Sequence, residues 1–353
     1  ATASCRFYRI PAMTLDRNGN IVVAYDRRYD SNGDLGNHRI DVAVRRGTDG
    51  GRSWSPQQII ARGDAYSDGQ YGFGDPALVR TAGGRLLCLM AAGKNGYFSG
   101  MRHIGIVLSD DDGRTWTAPR ELTAENFTDA VHGKTDELGF WSIFTTSGKG
   151  LLTHDGTVMF ATNTLMGLPK GTWEGSSNCY ILASKDEGLH WTLGPSLAFE
   201  GCDESKLVQL DNDSILLSVR QRGARGFNVS DAIAHNWQQQ WWNEDINNGN
   251  PCNADIIKVP FMPHTFLHTY LKHPKDRRQL VLAVSTDDCQ TWHDILTVQD
   301  GAAAYSTMEF LSNGHLAILF EDGSAGEDNG YALTFVTLTP RQLSKAIIGG
   351  RGN

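Results

Sequence analysis

Near its start the chain sets an arginine inside an apolar strand, Phe7-Tyr8-Arg9-Ile10-Pro11. Alternation sends Phe7, Arg9 and Pro11 to one face and Tyr8 and Ile10 to the other. Turned inward, that guanidinium is a permanently charged, bidentate partner for a carboxylate. Turned outward, it is an edge-strand arginine in solvent, and spacing alone leaves both open. The loop Tyr29-Asp30-Ser31-Asn32-Gly33-Asp34-Leu35-Gly36 offers two aspartates that suit either proton transfer or plain turn chemistry. Asp75, in Phe73-Gly74-Asp75-Pro76, has the form of a common turn opener. Glu204, in Gly201-Cys202-Asp203-Glu204-Ser205, reads by itself as a solvated loop acid, and Tyr305, in Ala302-Ala303-Ala304-Tyr305-Ser306, as a half-buried tyrosine. The eleven histidines form no HExxH-like set and the six cysteines no CxxC pair, so neither a metal nor another cofactor is expected.

The elements that must hold these residues announce themselves as a repeat. The pattern Ser/Thr-x-Asp-x-Gly-x-Ser/Thr-Trp is complete at Ser109–Trp116 and recurs at Ser184–Trp191 and Ser285–Trp292. It is drifted at Gly47–Trp54 and decayed at Ser230–Trp237. Asp and Gly supply the local hydrogen bond and the positive φ of a tight hairpin turn. Alternating runs such as 104–108 and 280–284 lead into these turns and read as strands. The tryptophans recur about 46 to 75 residues apart, the length of one four-stranded propeller blade with its loops. Five copies leave room for one unmarked blade built from the two chain ends. The expected fold is therefore all-β: a six-bladed β-propeller of four-stranded antiparallel blades, residues 1–353 forming one domain. Thr339-Pro340-Arg341-Gln342 is a capping box with proline at the first helical position, and starts a short C-terminal helix. Trp173 and Trp241-Trp242 suit either stacking on sugars or blade packing.

Composition narrows the partner. The net charge is −8 and no basic stripe is present, which argues against nucleic acid. A local arginine cluster can still bind a small anion against that global charge. No apolar run approaches a bilayer span. The chain opens at Ala1-Thr2-Ala3-Ser4, almost on the first motif, as a mature or trimmed form would.

Tyr8-Arg9-Ile10-Pro11 followed by repeated Asp boxes resembles the sialidase (neuraminidase) superfamily, bacterial branch, over nearly the whole chain. The resemblance implies that Arg9 is one of three arginines binding the carboxylate of sialic acid. It assigns the second to Arg220, after Leu216-Leu217-Ser218-Val219, and the third to Arg277. Arg278 is adjacent, and a one-residue slip would exchange the two. It further implies Tyr305 as nucleophile, Glu204 as its base, Asp34 as the acid/base that protonates the leaving oxygen, Arg28 near the carboxylate, and Asp75 on the ring-substituent side. Asp30 is the rival of Asp34. The chemistry is coherent. An anionic nucleophile would be repelled by the substrate's carboxylate, whereas a neutral phenol, with an ordinary pKa of about 10, needs only a neighbouring base. Tyrosine-nucleophile sialidases are a known exception to the two-carboxylate rule.

The expected activity is that of a retaining exo-α-sialidase acting on sialylated glycans or glycoproteins. The protein is expected to be a monomer without a membrane span and to reside outside the cytoplasm, secreted, periplasmic or at the cell surface. Alternatives on the same frame are a trans-sialidase, a hydrolase for the deaminated sialic acid, and a non-catalytic sialic-acid-binding propeller. The last predicts loss of the Glu204 or Tyr305 equivalents, and both are present.

Overall fold

The computed structural model describes residues 5, 7–29, 31–34, 39–63, 71–94, 103–126, 142–165, 177–246, 251–260, 262–324 and 330–350. Asp30 and Trp173 lie outside the described residues. The alternating runs fold as strands: 104–108 lies within His103–Ser109, and 280–284 within Arg278–Ser285.

The sheets follow one antiparallel plan. Phe7–Leu15 pairs with Ile21–Arg28, which pairs with Ile40–Thr48, and short outer strands follow. Tyr71–Arg80, Leu86–Lys94, His103–Ser109 and Arg120–Glu121 repeat that order. So do Ser205–Gln209, Ile215–Val219, Arg225–Ser230 and Trp237–Asn243. Between these two in sequence lies a sheet centred on Val158–Leu165. The last sheet runs from Ile256–Lys258 through Phe266–Leu271 and Arg278–Ser285 into the 18-residue strand His293–Phe310. The first part of that strand completes this unit; the second opens another with Leu316–Asp322 and Ala332–Leu338. Leading strands pack against leading strands around a ring, and Phe7–Leu15 touches both Tyr71–Arg80 and His293–Phe310, so the chain's two ends meet. The fold is all-β and propeller-like.

Burial on both sheet faces explains the apolar strands. Leu86, Cys88 and Met90 pack toward Val22, Ala24 and Val42 on one side. Leu87 and Leu89, one residue out of phase, pack toward Val158, Phe160 and Trp191 on the other. All six cysteines are free thiols. The Asp boxes form the expected turns, each joining a third strand to an outer one. Asp111 Oδ1 accepts the Thr115 N–H at 2.8 Å, its Oδ2 accepts the Thr115 hydroxyl at 2.6 Å, and Ser109 Oγ accepts the Gly113 N–H at 2.9 Å. The decayed copy keeps the geometry: Trp237 Nε1 donates to the Ala234 carbonyl at 3.1 Å, as Trp116 does to Gly113 at 3.3 Å. Ala234, at φ 58°, occupies the place that Gly113 fills at φ 75°. Trp241 stacks on Phe227, which is packing within the fold. The capping box closes as expected: Gln342 N–H donates to Thr339 Oγ1 at 3.2 Å, Thr339 N–H to Gln342 Oε1 at 2.9 Å, and the helix runs Pro340–Gly350.

Candidate active site

Three leading strands carry a β-bulge, and each bulge delivers a site residue. In Phe7–Leu15 the register passes from Arg9↔Asp26 to Ala12↔Ala24, so Ile10 and Pro11 oppose one partner residue. In Tyr71–Arg80 it passes from Gly74↔Ala91 to Ala77↔Leu89, around Asp75 and Pro76. In His293–Phe310 it passes from Ala303↔Asp322 to Ser306↔Phe320, around Ala304 and Tyr305. Bulges re-aim the side chains beside them. They also correct the simple alternation expected for 7–11: Pro11 falls inside the bulge and does not follow Arg9 by strict two-residue steps. Ile10 and Asp75 sit at φ 58° and 55°, a left-handed conformation that non-glycine residues hold only when their surroundings fix it.

On the Arg9 side that fixing group is Glu321. Its carboxylate accepts Arg9 Nε and Nη2 at 2.9 and 3.0 Å, the Ile10 N–H at 2.7 Å and the Tyr305 N–H at 3.1 Å. On the Arg28 side it is Asp26, which accepts Arg28 Nε and Nη2 at 3.1 and 2.8 Å and the Asp75 N–H at 3.0 Å. Both carboxylates are fully buried. Sequence reasoning missed both. The available signal was an acid closing an otherwise apolar strand, as in Leu319-Phe320-Glu321-Asp322 and Ala24-Tyr25-Asp26.

Arg28 is spoken for. Besides Asp26, its Nη1 donates to Asp34 Oδ1 at 2.8 Å and to the carbonyls of Asn32 and Gly33 at 2.9 and 3.0 Å. It lies 3.8 Å from Asp75. Arg28 thus anchors the loop that presents Asp34, whose side chain is 60% exposed. Desolvation would raise the Asp34 carboxyl, but the charges of Arg28, Arg9 and Arg277 outweigh it and hold the group below the usual range. Asp75 goes the other way: burial, then the neighbouring Asp26 charge, push it well above the usual carboxylate range.

Three guanidinium groups surround the Tyr305 ring, with Cζ atoms of Arg9, Arg277 and Arg220 at 5.4, 5.6 and 6.0 Å from its centroid. Arg277 is half-buried against the ring whereas Arg278 is exposed. The strand begins at Arg278, and its register breaks between Arg278 and Leu280, with Gln279 at φ 59°. Arg220 Nη1 donates to Glu204 Oε2 at 2.6 Å and to the Tyr305 hydroxyl oxygen at 2.9 Å. That shared Arg220 donor brings the Glu204 carboxylate and the Tyr305 hydroxyl side by side. Burial would raise the Glu204 carboxyl, but Arg220 and Lys206 overcome it and keep the group below its ordinary range. The Tyr305 phenol is pushed well up, by burial first and then by Glu204. A cluster of three arginines over a phenol can hold a carboxylate, and the phenol has an ionised carboxylate at hand to take its proton.

The one metal-like grouping among the described residues is Asp211, His264 and Asp288. Asp211 follows the strand Ser205–Gln209 that Glu204 precedes, so it lies at the other end of that strand. His264 already pairs with Asp288, and Lys258 with Asp211.

Comparison with known proteins fits this geometry. Residues 31–318 match the BNR repeat-like domain, and the chain belongs to that family. It is 28% identical to a sialidase of Micromonospora viridifaciens over 90% of this chain and 50% of the relative. It is 24% identical to a sialidase of Bacteroides fragilis over 90% of this chain and 60% of the relative. The chain thus spans about half to three-fifths of these relatives. Among solved structures, the Hadza microbial sialidase Hz136 superposes with a TM-score of 0.79 at 24% identity, covering 95% of this chain and 66% of that one. Trypanosoma rangeli sialidase with 2,3-difluorosialic acid, described as a covalent intermediate, superposes at 0.78 with 18% identity over 98% and 56%. Among the described residues no helix is long and apolar enough to cross a membrane.

Proposed function

We propose that the chain is a retaining exo-α-sialidase, a single domain over 1–353 that acts as a monomer outside the cytoplasm on sialylated glycans. The proposed architecture is a six-bladed propeller, in which the two halves of the sheet joined by His293–Phe310 form one blade each. One observation carries the functional proposal: three guanidinium groups gather around a phenol whose hydroxyl shares the Arg220 donor with the Glu204 carboxylate.

Arg9, Arg220 and Arg277 bind the sugar's carboxylate. Arg28 orients Asp34, and Asp75 lines the side that receives a ring substituent. Glu204 takes the phenolic proton, and the electron pair left on the Tyr305 oxygen attacks the anomeric carbon as the glycosidic bond breaks. Asp34 gives its proton to the departing oxygen. It then takes one from water, whose oxygen bonds to the anomeric carbon as the bond to the Tyr305 oxygen breaks; the phenolate recovers its proton from Glu204, and the sugar leaves with retained configuration. In the free protein Asp34 is held ionised by the arginines. A bound carboxylate neutralises part of that charge and lets Asp34 take up the proton it must deliver. The related sialidases support this proposal, as does the trapped difluorosialic acid complex of the trypanosomal protein.

The test is incubation with a fluorogenic sialoside, then with lactose as acceptor. Free sialic acid alone is expected. Sialyl-lactose would indicate a transferase, and neither product would reject the proposal.

A further inference from the structure

The two oxygens of Glu204 are served differently. Oε2 meets Arg220. Oε1 accepts the Ser147 hydroxyl at 2.8 Å and the Asn253 amide at 3.4 Å. Asn253 Nδ2 also donates to Ser147 Oγ at 2.7 Å, and Asn253 Oδ1 accepts from Lys206 Nζ at 2.8 Å. Lys206 donates in addition to the Ser147 carbonyl oxygen. Ser147, Asn253 and Lys206 are all buried, at 1%, 3% and 1% exposure.

Every donor in this chain points the same way, from the Lys206 ammonium through Asn253 and Ser147 to Glu204, and such links polarise one another. The direct acceptors of Lys206 are two neutral oxygens, so its charge acts at longer range on Glu204 and Asp255. A buried ammonium without a carboxylate at contact distance is expensive, and an apolar side chain of that length would fill the space at lower cost. Burial pushes its pKa down to about 8, and it still carries its proton at neutral pH.

We propose that Lys206, Asn253 and Ser147 are positioning residues that keep Glu204 ionised and reserve its Oε2 for the Tyr305 proton. The inference rests on the role of Glu204 given above. When the phenol O–H bond breaks, its electron pair stays on the Tyr305 oxygen and the proton bonds to Oε2, because Oε1 is already filled by two donors. The chain takes no part in the covalent step.

The experiment is kcat/KM against pH on a fluorogenic aryl sialoside for wild type, Lys206→Met, Ser147→Ala and Glu204→Gln, with melting temperatures alongside. An aryl group departs unaided, so the acid limb reports Glu204 in the free enzyme. Lys206→Met and Ser147→Ala should each lose about tenfold or more in kcat with KM within about threefold. Their acid limbs should move up by about half a pH unit or more, since Glu204 loses the field that holds it ionised. Lys206→Met should melt no lower than wild type, because it replaces a buried charge with a side chain of similar size. A purely structural role would lower melting temperature and leave the limb in place. Wild-type limbs and near wild-type kcat in both variants would overturn the relay while sparing Glu204. An inactive wild type, or full activity in Glu204→Gln, would overturn the base assignment and the relay with it. If Lys206→Met does not fold, Ser147→Ala decides.

Discussion

The turn around Asp111 and the cluster around Tyr305 are both organised by carboxylates that accept several hydrogen bonds, yet they are wired in opposite ways. Asp111 bonds only to Ser109, Arg114 and Thr115, all within four residues, at an exposed blade turn. Glu321 bonds to Arg9 and Ile10, more than 300 residues away, and to Tyr305 on the neighbouring strand, all of them buried. The turn is a closed local circuit that any chain with that octet can form. The cluster exists only once the ring has closed and its bulged strands have met. Changes at the first should therefore cost stability and spare chemistry, and changes at the second the reverse.

The largest separation is expected at the phenol. Tyr305→Phe keeps the ring beneath the three guanidinium groups and removes the reacting oxygen. Turnover should fall by about a thousandfold or more with the fold intact, and a carboxylate-bearing inhibitor should bind nearly as before. Next comes Asp34→Ala, which should lose about a hundredfold or more on natural glycosides and far less on aryl sialosides; equal losses on the two would remove Asp34 from the acid/base role. The sign of its pKa shift adds a pH expectation. The arginines hold Asp34 low in the free protein, so kcat/KM on natural glycosides should rise as pH falls from neutral, more steeply than on aryl sialosides. Arg277→Ala should weaken inhibitor binding by about tenfold to a hundredfold, the worth of a charge-assisted bond of about 1.5–3 kcal/mol. Arg278→Ala, at an exposed position, should change it little; the opposite ranking would mean that the strand is out of register by one.

The smallest effect belongs to the turn. Asp111→Ala should lower stability by about 1–2 kcal/mol and leave kcat and KM unchanged. Slight burial would raise the Asp111 carboxyl, but its bonds from Thr115, Ser109 and Arg114 outweigh this and hold it at about 2. A carboxyl depressed in the folded state adds stability that is complete above its unfolded pKa and is lost as pH falls toward 2. Acid melting of wild type should therefore be steeper over that window than melting of Asp111→Ala.

This same contrast explains what was legible in the sequence. An Asp box closes within eight residues, and the capping box at Thr339 within four, so both could be read locally and both formed. Even the decayed copy at Ser230 kept its turn, with Ala234 taking the positive φ of a glycine. The bulges were half-legible: Pro11 and Pro76, prolines inside strands, mark two of them, while nothing local marks the one at Tyr305. Asp26 and Glu321 stayed hidden because their partners lie across blade boundaries, which alternation does not describe. Arg9, Arg220, Arg277, Glu204 and Tyr305 were assigned through family resemblance. Their own spacing left a solvent arginine as good an account as an inward one, and favoured a loop acid and a packed tyrosine. Arg28 supports the loop of Asp34, since its guanidinium is committed to Asp26, Asp34 and two carbonyls.

The most direct test of the central claim is mass spectrometry of the protein after exposure to a mechanism-based fluorinated sialic acid. The leaving group departs, and the fluorine slows release of the sugar enough for an adduct to persist. A single fluorosialyl adduct is expected on the peptide containing Tyr305, absent in Tyr305→Phe and slower to form in Glu204→Gln. An adduct on any other residue, or sialoside turnover with no trappable adduct and undiminished activity in Tyr305→Phe, would contradict the account.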